Sequence, residues 1–195
     1  MRAGRLIAEE GLDYASAKRK AARDIVGSAR ASGNWLPGNE EVEAQVRAYQ
    51  ELFQSDSQPA RLHQLRTVAL QLMQLLSEFR PHLIGAAFNG TAGEYSAIHI
   101  ELYADSPKDV EIFLLNQGIE FDVCEVASKE ANGRARQLES IQFIWRPHRH
   151  AESEGVELIV HDTDELRGAR SGERRGERAD LAALEALLAP GGLPT

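Results

Sequence analysis

Between residues 62 and 79 the apolar positions Leu62, Leu65, Ala69, Leu72, Leu76 and Phe79 recur at alternating three- and four-residue steps. That spacing aligns them on one face of an α-helix, which Pro81 is expected to stop. The seam has two readings, a core for this chain or a contact with another helix in a second copy or a partner. Upstream, Ser16 to Ile25 is rich in Ala, Lys and Arg and predicts a helix, followed by a turn containing Gly33, Pro37 and Gly38. Asn39 is the expected cap of a further helix, with Glu40 and Glu41 in its first turn, where carboxylates favour the positive helix end. Val42, Val46, Tyr49 and Phe53 share one face of it, and Ser55-Asp56-Ser57-Gln58-Pro59 breaks the pattern.

After Leu83 the period changes to two. Leu83 to Phe88 predicts a short apolar strand. In Ala97 to Tyr103, Ile98, Ile100 and Leu102 alternate with His99, Glu101 and Tyr103. Ser106-Pro107-Lys108-Asp109 reads as a helix start, with a Ser cap and Pro in the first helical position. Val110, Phe113 and Leu114 form its apolar stripe, and Gly118 is placed to end it. Alternation returns in Ile119 to Cys124, in Ile141 to Trp145 and in Val156 to Val160. Ser128 to Arg136 predicts a polar loop, and Arg146 to Gly155 a charged connection. Arg167 to Arg178 is rich in Gly, Arg and Glu, and Leu181 to Leu188 predicts a closing helix. If helices pack on the apolar side of the sheet, the other side collects His99, Glu101, Glu120, Asp122, Gln142, Glu157 and His161. A register change of one residue would scatter that set.

These elements make an α+β chain. The divisions expected are a helical region at 1–81, an α/β domain at 82–166, and a linker with a short helix at 167–195. The 195 residues are enough to bury a substantial core. A formal net charge of -8 disfavours nonspecific binding to nucleic acid or to an anionic membrane. The lone cysteine, Cys124, excludes an intrachain disulfide and a paired-cysteine zinc site. With no apolar run of membrane-spanning length and no secretory leader at the N-terminus, the expected compartment is the cytoplasm. Lys18-Arg19-Lys20 reads as a solvated helix face. Arg146-Pro147-His148-Arg149-His150 reads as an exposed turn, whose arginines are the candidates for phosphate contacts.

The stretch Leu83 to Leu102 resembles the signature of the nucleotidyltransferase superfamily, of the DNA polymerase beta-like minimal type. In that family a strand ends in Gly-Ser, a short helix carries a Gly, and a Ser-Asp-Ile-Asp strand follows with two metal-binding aspartates. Gly85 and Gly90 match the glycines, Thr91 keeps a hydroxyl beside the second, and Ser96 matches the residue before the acids. The chain departs at Ala86, in place of the serine, and at Ala97 and His99, in place of the aspartates. The resemblance implies a mixed β-sheet of the nucleotidyltransferase type, with Gly85, Gly90, Thr91 and Ser96 facing a nucleotide and Mg²⁺ or Mn²⁺ accompanying the NTP in an active member. Two aspartates two apart on a strand lie roughly 7 Å apart on one face, where they can hold the metals of in-line phosphoryl transfer. Ala97 offers no ligand and His99 offers nitrogen, a poor match for Mg²⁺.

His99, Glu101 and Asp122 are the remaining candidates for catalysis or for a single metal, set against the plain reading of solvent-facing residues. Three functions are therefore open. The first is a divergent member without two-metal catalysis, binding a nucleotide, another phosphorylated ligand or a protein partner. The second is an active transferase moving a nucleotidyl group from an NTP to a small molecule or protein with a non-standard metal site. The third is a non-enzymatic assembly module, working through the N-terminal helices with a second copy or a protein partner.

Overall fold

The computed structural model describes residues 2–12, 14–26, 37–129, 135–166 and 178–189. The N-terminal segment forms helices α1 (Arg2–Glu10), α2 (Tyr14–Val26), α3 (Asn39–Phe53) and α4 (Gln58–Leu75). Gly38, not Asn39, is the N-cap of α3, and its N–H donates to the Glu41 carboxylate at 3.2 Å. Asn39 lies within the helix, where its Oδ1 accepts from Lys18 Nζ at 2.7 Å. The seam helix ends at Leu75, before Pro81, and a 3-10 turn (Ser77–Phe79) and a left-handed Arg80 complete the stop.

The chain forms two compact units, Met1–Gln64 with Gly90–Ser96, and Leu65–Asn89 with Ala97–Thr195. The division falls inside α4. In the first unit Ala3, Leu6, Ile7 and Ala8 of α1 join Ala17 and Ala21 of α2 and Val42 and Val46 of α3 in one core. Gly4 permits the close approach of α1 to α3, because an added Cβ would lie 2.9 Å from the Gln45 backbone. Loop 90–96 belongs here because glutamines satisfy its buried carbonyls. Gln50 Nε2 donates to the Thr91 oxygen at 2.8 Å, and Gln58 Nε2 to those of Gly90 and Ala92 at 2.9 Å.

The second unit is built on a five-stranded mixed sheet in the order β1-β2-β5-β4-β3, with strands β1 (His82–Ile84), β2 (Ile98–Ala104), β3 (Asp122–Lys129), β4 (Ala135–Trp145) and β5 (Glu154–Asp162). Only β2 and β5 pair in parallel; the other neighbours are antiparallel. Helix α5 (Gly85–Asn89) follows β1, α6 (Pro107–Asn116) follows β2, and α7 (Leu181–Leu188) closes the described chain. The α+β class and the order strand, short helix, strand, helix and three strands are those expected from the sequence.

The strand predicted over Leu83 to Phe88 stops at Ile84, because Gly85 at φ +67 turns the chain into α5. Regular pairing of β3 begins at Asp122 rather than Ile119. The predicted loop from Ser128 to Arg136 is shorter, since β3 reaches Lys129 and β4 starts at Ala135; Asn132 and Gly133 lie outside the described residues. So do Gly33 and most of the Gly/Arg-rich stretch.

Ile98, Ile100 and Leu102 of β2, Ile141 of β4 and Leu158 of β5 are fully buried on one face, with Val110 and Leu114 of α6. Leu65, Ala69, Leu72 and Leu76 are also fully buried and Phe79 nearly so, while Leu62 is half-buried. The seam is thus spent on the chain's own interior, which removes the support for a helical dimer contact along it. Ser106 caps α6 as expected, its Oγ accepting from the Lys108 N–H at 3.2 Å. Ser106→Ala is expected to cost about 1 kcal/mol in urea unfolding; a change within about 0.2 kcal/mol would show the cap to be idle. Among the described residues no helix is long and apolar enough to cross a membrane.

Candidate functional site

The strand register assigns the polar face directly. His99 pairs with Glu157, Glu157 with Gln142, and Gln142 with Asp122, so the four form one row across β2, β5, β4 and β3. A second row holds His82 and Glu101, and a third Tyr103 and His161. The alternation in the sequence therefore assigns His99, Glu101, Asp122, Gln142, Glu157 and His161 to one face; Glu120 precedes β3 and is exposed.

What the alternation does not give is the strand order. Because β5 and β4 lie between β2 and β3, Asp122 is three strands from His99, roughly 14 Å at about 4.8 Å per strand. A metal shared by His99, Glu101 and Asp122 would need ligands about 2 Å from one ion. Among the described residues no group of three His, Cys, Asp or Glu could hold a metal ion. The strand order thus brings His99 and Glu101 onto one strand and leaves Asp122 three strands away.

At the centre of the first row, Glu157 takes three donors. His99 Nδ1 lies 2.8 Å from Oε2, while Ser140 Oγ and Gln142 Nε2 reach Oε1 at 2.7 Å and 3.1 Å. The hydrogen bond from His99, with those from Ser140 and Gln142, holds the carboxyl down at about 2 against the opposing effect of burial. Ser140 is fully buried, and its role was not visible in the sequence, where it looks like an ordinary strand serine. The His99 ring sits beside Gly85, where an added Cβ would lie 3.6 Å from Cδ2. Ala97, His99, Asp122, Gln142, Gly155 and Glu157, with Phe143, Ile144 and Val156, line an open groove of about 430 Å³.

Glu101 is occupied elsewhere. Its Oε2 accepts from Tyr103 Oη at 3.1 Å and from Arg178 at 3.4 Å, and its Oε1 lies 3.4 Å from His161 Nε2. The side chains of Glu101, His161 and Arg178 are 11%, 3% and 8% exposed, so this is a buried charge cluster. Arg178 also donates to Tyr103, whose ring stacks on His161 at 5.3 Å. Burial, and then the charge of Glu101, push the Tyr103 phenol well above its usual range. Ala179 pairs with Leu83 at the edge of β1, which brings Arg178 to the sheet.

The other residues singled out in the sequence fall in the first unit, on exposed turns or, for Cys124, on β3. Gly90 has φ +87, Thr91 is 1% exposed, and Ser96 Oγ accepts from the Gly93 N–H at 3.0 Å. Arg146 donates to Ser153 Oγ at 2.9 Å and 2.7 Å, and His148, Arg149 and His150 lie in the turn that follows. Cys124 is exposed on β3. Lys20 pairs with Glu10 at 2.5 Å, and Arg19 donates to Ser16 Oγ at 3.1 Å.

No family model and no curated protein matches the chain. Among solved structures, Cid1, described by its RNA terminal uridylyl transferase activity, is similar at 15% identity with a TM-score of 0.30. The likeness covers 52% of this chain and 29% of that one, so this chain spans less than a third of the length of the protein it matches.

Proposed function

We propose that this chain is a nucleotidyltransferase-like protein without two-metal catalysis, which binds a nucleotide or another phosphorylated ligand. The observation that carries the reading is the identity and engagement of residues 97 and 99. Ala97 has no donor atom, and the Nδ1 of His99 is committed to Glu157 at 2.8 Å. No pair of carboxylates two apart is left at the head of β2, and the next acid, Glu101, is engaged by Arg178 and Tyr103. The ligand class rests on the layout of β1, α5 and β2, with positive φ at Gly85.

A thermal-shift series with the four NTPs, each with and without Mg²⁺, Mn²⁺ and Zn²⁺, tests it. A ligand that binds only the native state raises its stability by mass action. The expected result is a nucleotide-dependent rise in Tm of the same size with and without metal. A rise that requires metal would favour the active transferase with a rearranged site. No rise with any nucleotide would remove nucleotides as the ligand class.

A further inference from the structure

Glu157 fixes the polarity of the groove. An ionised carboxylate only accepts hydrogen bonds, so each neighbour must turn a donor towards it. His99 gives Nδ1–H, Ser140 its hydroxyl and Gln142 its amide nitrogen. The atoms left over then include two acceptors. With a single ring proton on Nδ1, turned to Glu157, His99 presents the Nε2 lone pair, and Gln142 presents Oε1 beside its second N–H. Among the described residues neither atom has a hydrogen-bond partner. Asp122 adds an exposed carboxylate at the end of the row, and no Lys or Arg lines the groove. The floor is nearly bare at Gly155, where an added Cβ would already lie 3.7 Å from that of Ala97.

We infer that this groove is a subsite for an organic amine, whose N–H donates to His99 Nε2 and whose positive charge is matched by Glu157 and Asp122. Phosphate and carboxylate groups carry the same sign of charge as Glu157 and Asp122 and are repelled. The inference rests on the reading that this face of the sheet receives a ligand, and it adds which part enters the groove. Of a phosphorylated ligand, that part is not the phosphate. The separation along the row suits an extended polyamine, with one nitrogen at His99 and another towards Asp122.

The test is long-range ¹H–¹⁵N NMR of the histidine rings in the uniformly labelled full chain, titrated with spermidine, ethanolamine and inorganic phosphate. In the free protein His99 is expected as the Nδ1–H tautomer. Spermidine should move its Nε2 resonance saturably, ethanolamine more weakly, and phosphate not at all. Glu157→Gln keeps one acceptor, which the donors Ser140 and Gln142 draw to their side, so its N–H₂ faces His99 and favours the tautomer that presents Nε2–H to the groove. Spermidine affinity should then fall by about tenfold or more, the worth of a charge-assisted hydrogen bond. His99→Phe, which keeps ring volume and loses the acceptor, should behave alike. An Nε2–H tautomer in the free wild-type protein would overturn the inference, as would an Nε2 resonance unmoved by both amines or moved by phosphate. These wild-type readings do not depend on any variant folding. Nucleotide binding without an amine response sinks this inference alone, and an amine response without nucleotide binding sinks the nucleotide reading alone.

Discussion

Glu101→Ala is expected to destabilise the protein by about 3–5 kcal/mol, the cost of removing one partner from a buried ion pair. Arg178 would keep a guanidinium 8% exposed with its anionic partner gone, and His161, 3% exposed, would lose one of its two facing carboxylates. Tyr103 would lose the acceptor for its hydroxyl. The loss should spread to the C-terminal segment, because Arg178 immediately precedes the Ala179 pairing to Leu83 and the helix that buries Leu184. Urea unfolding monitored by far-UV circular dichroism measures the change. Glu101→Gln, which keeps the size and one acceptor, should cost less. A Glu101→Ala variant within about 1 kcal/mol of wild type would mean that the cluster is hydrated and held no more strongly than a surface pair. This expectation also decides how metal chemistry should be probed. Loss of nucleotide binding in Glu101→Ala would report a damaged sheet as readily as a lost ligand, so His99 and Glu157 are the informative positions.

The sequence carries the faces of the sheet but not its order. Period-two alternation in Ala97 to Tyr103 and in Val156 to Val160 assigns His99, Glu101, Glu157 and His161 to one side, since a strand offers only two. Strand order depends on the crossover from β2 through α6, β3 and β4 to a parallel β5, and no local pattern encodes it. Asp122 is expected near β2 on the resemblance to the nucleotidyltransferase family, whose third carboxylate often lies on the strand that carries it; here β5 and β4 intervene. His99 accordingly meets a glutamate 58 residues away, at 2.8 Å, instead of a nearby aspartate. Arg178 was hidden for a related reason. It ends a stretch whose composition suggests a linker, and only the backbone pairing of Ala179 with Leu83 gives it a place. Helix stops and caps were legible where a single residue type settles them, as at Ser106 and Gly118. They were missed where the backbone chose between adjacent residues, as at Gly38 and Asn39. The same alternation found His99 as a candidate, and the strand order supplies Glu157 as its partner.

Acid should remove the contribution of Glu157 in a defined window. Its carboxyl is held at about 2 against an ordinary value of 4.5, first by His99 and then by Ser140 and Gln142. A depressed carboxyl gives stability that is fully present above the unfolded value and lost as pH falls through the folded one. The contribution is therefore whole at pH 6, declines from about pH 5, and is gone near pH 2. It amounts to at most roughly 3 kcal/mol, at about 1.36 kcal/mol per pKa unit. Because His99 is 36% exposed, solvent screening reduces the measured value below that limit. Other carboxyls, Glu9 and Glu165 among them, are also lowered and titrate in the same range. The difference between wild type and Glu157→Gln isolates this one. Urea unfolding of both proteins at intervals from pH 6 to pH 3 should show wild type losing more stability than the variant, with the gap growing below pH 5. Parallel curves would mean that Glu157 is no more strongly held in the folded chain than in the unfolded one. The fixed carboxylate would then be lost as the cause of His99's orientation, and the acceptor face of the groove would go with it.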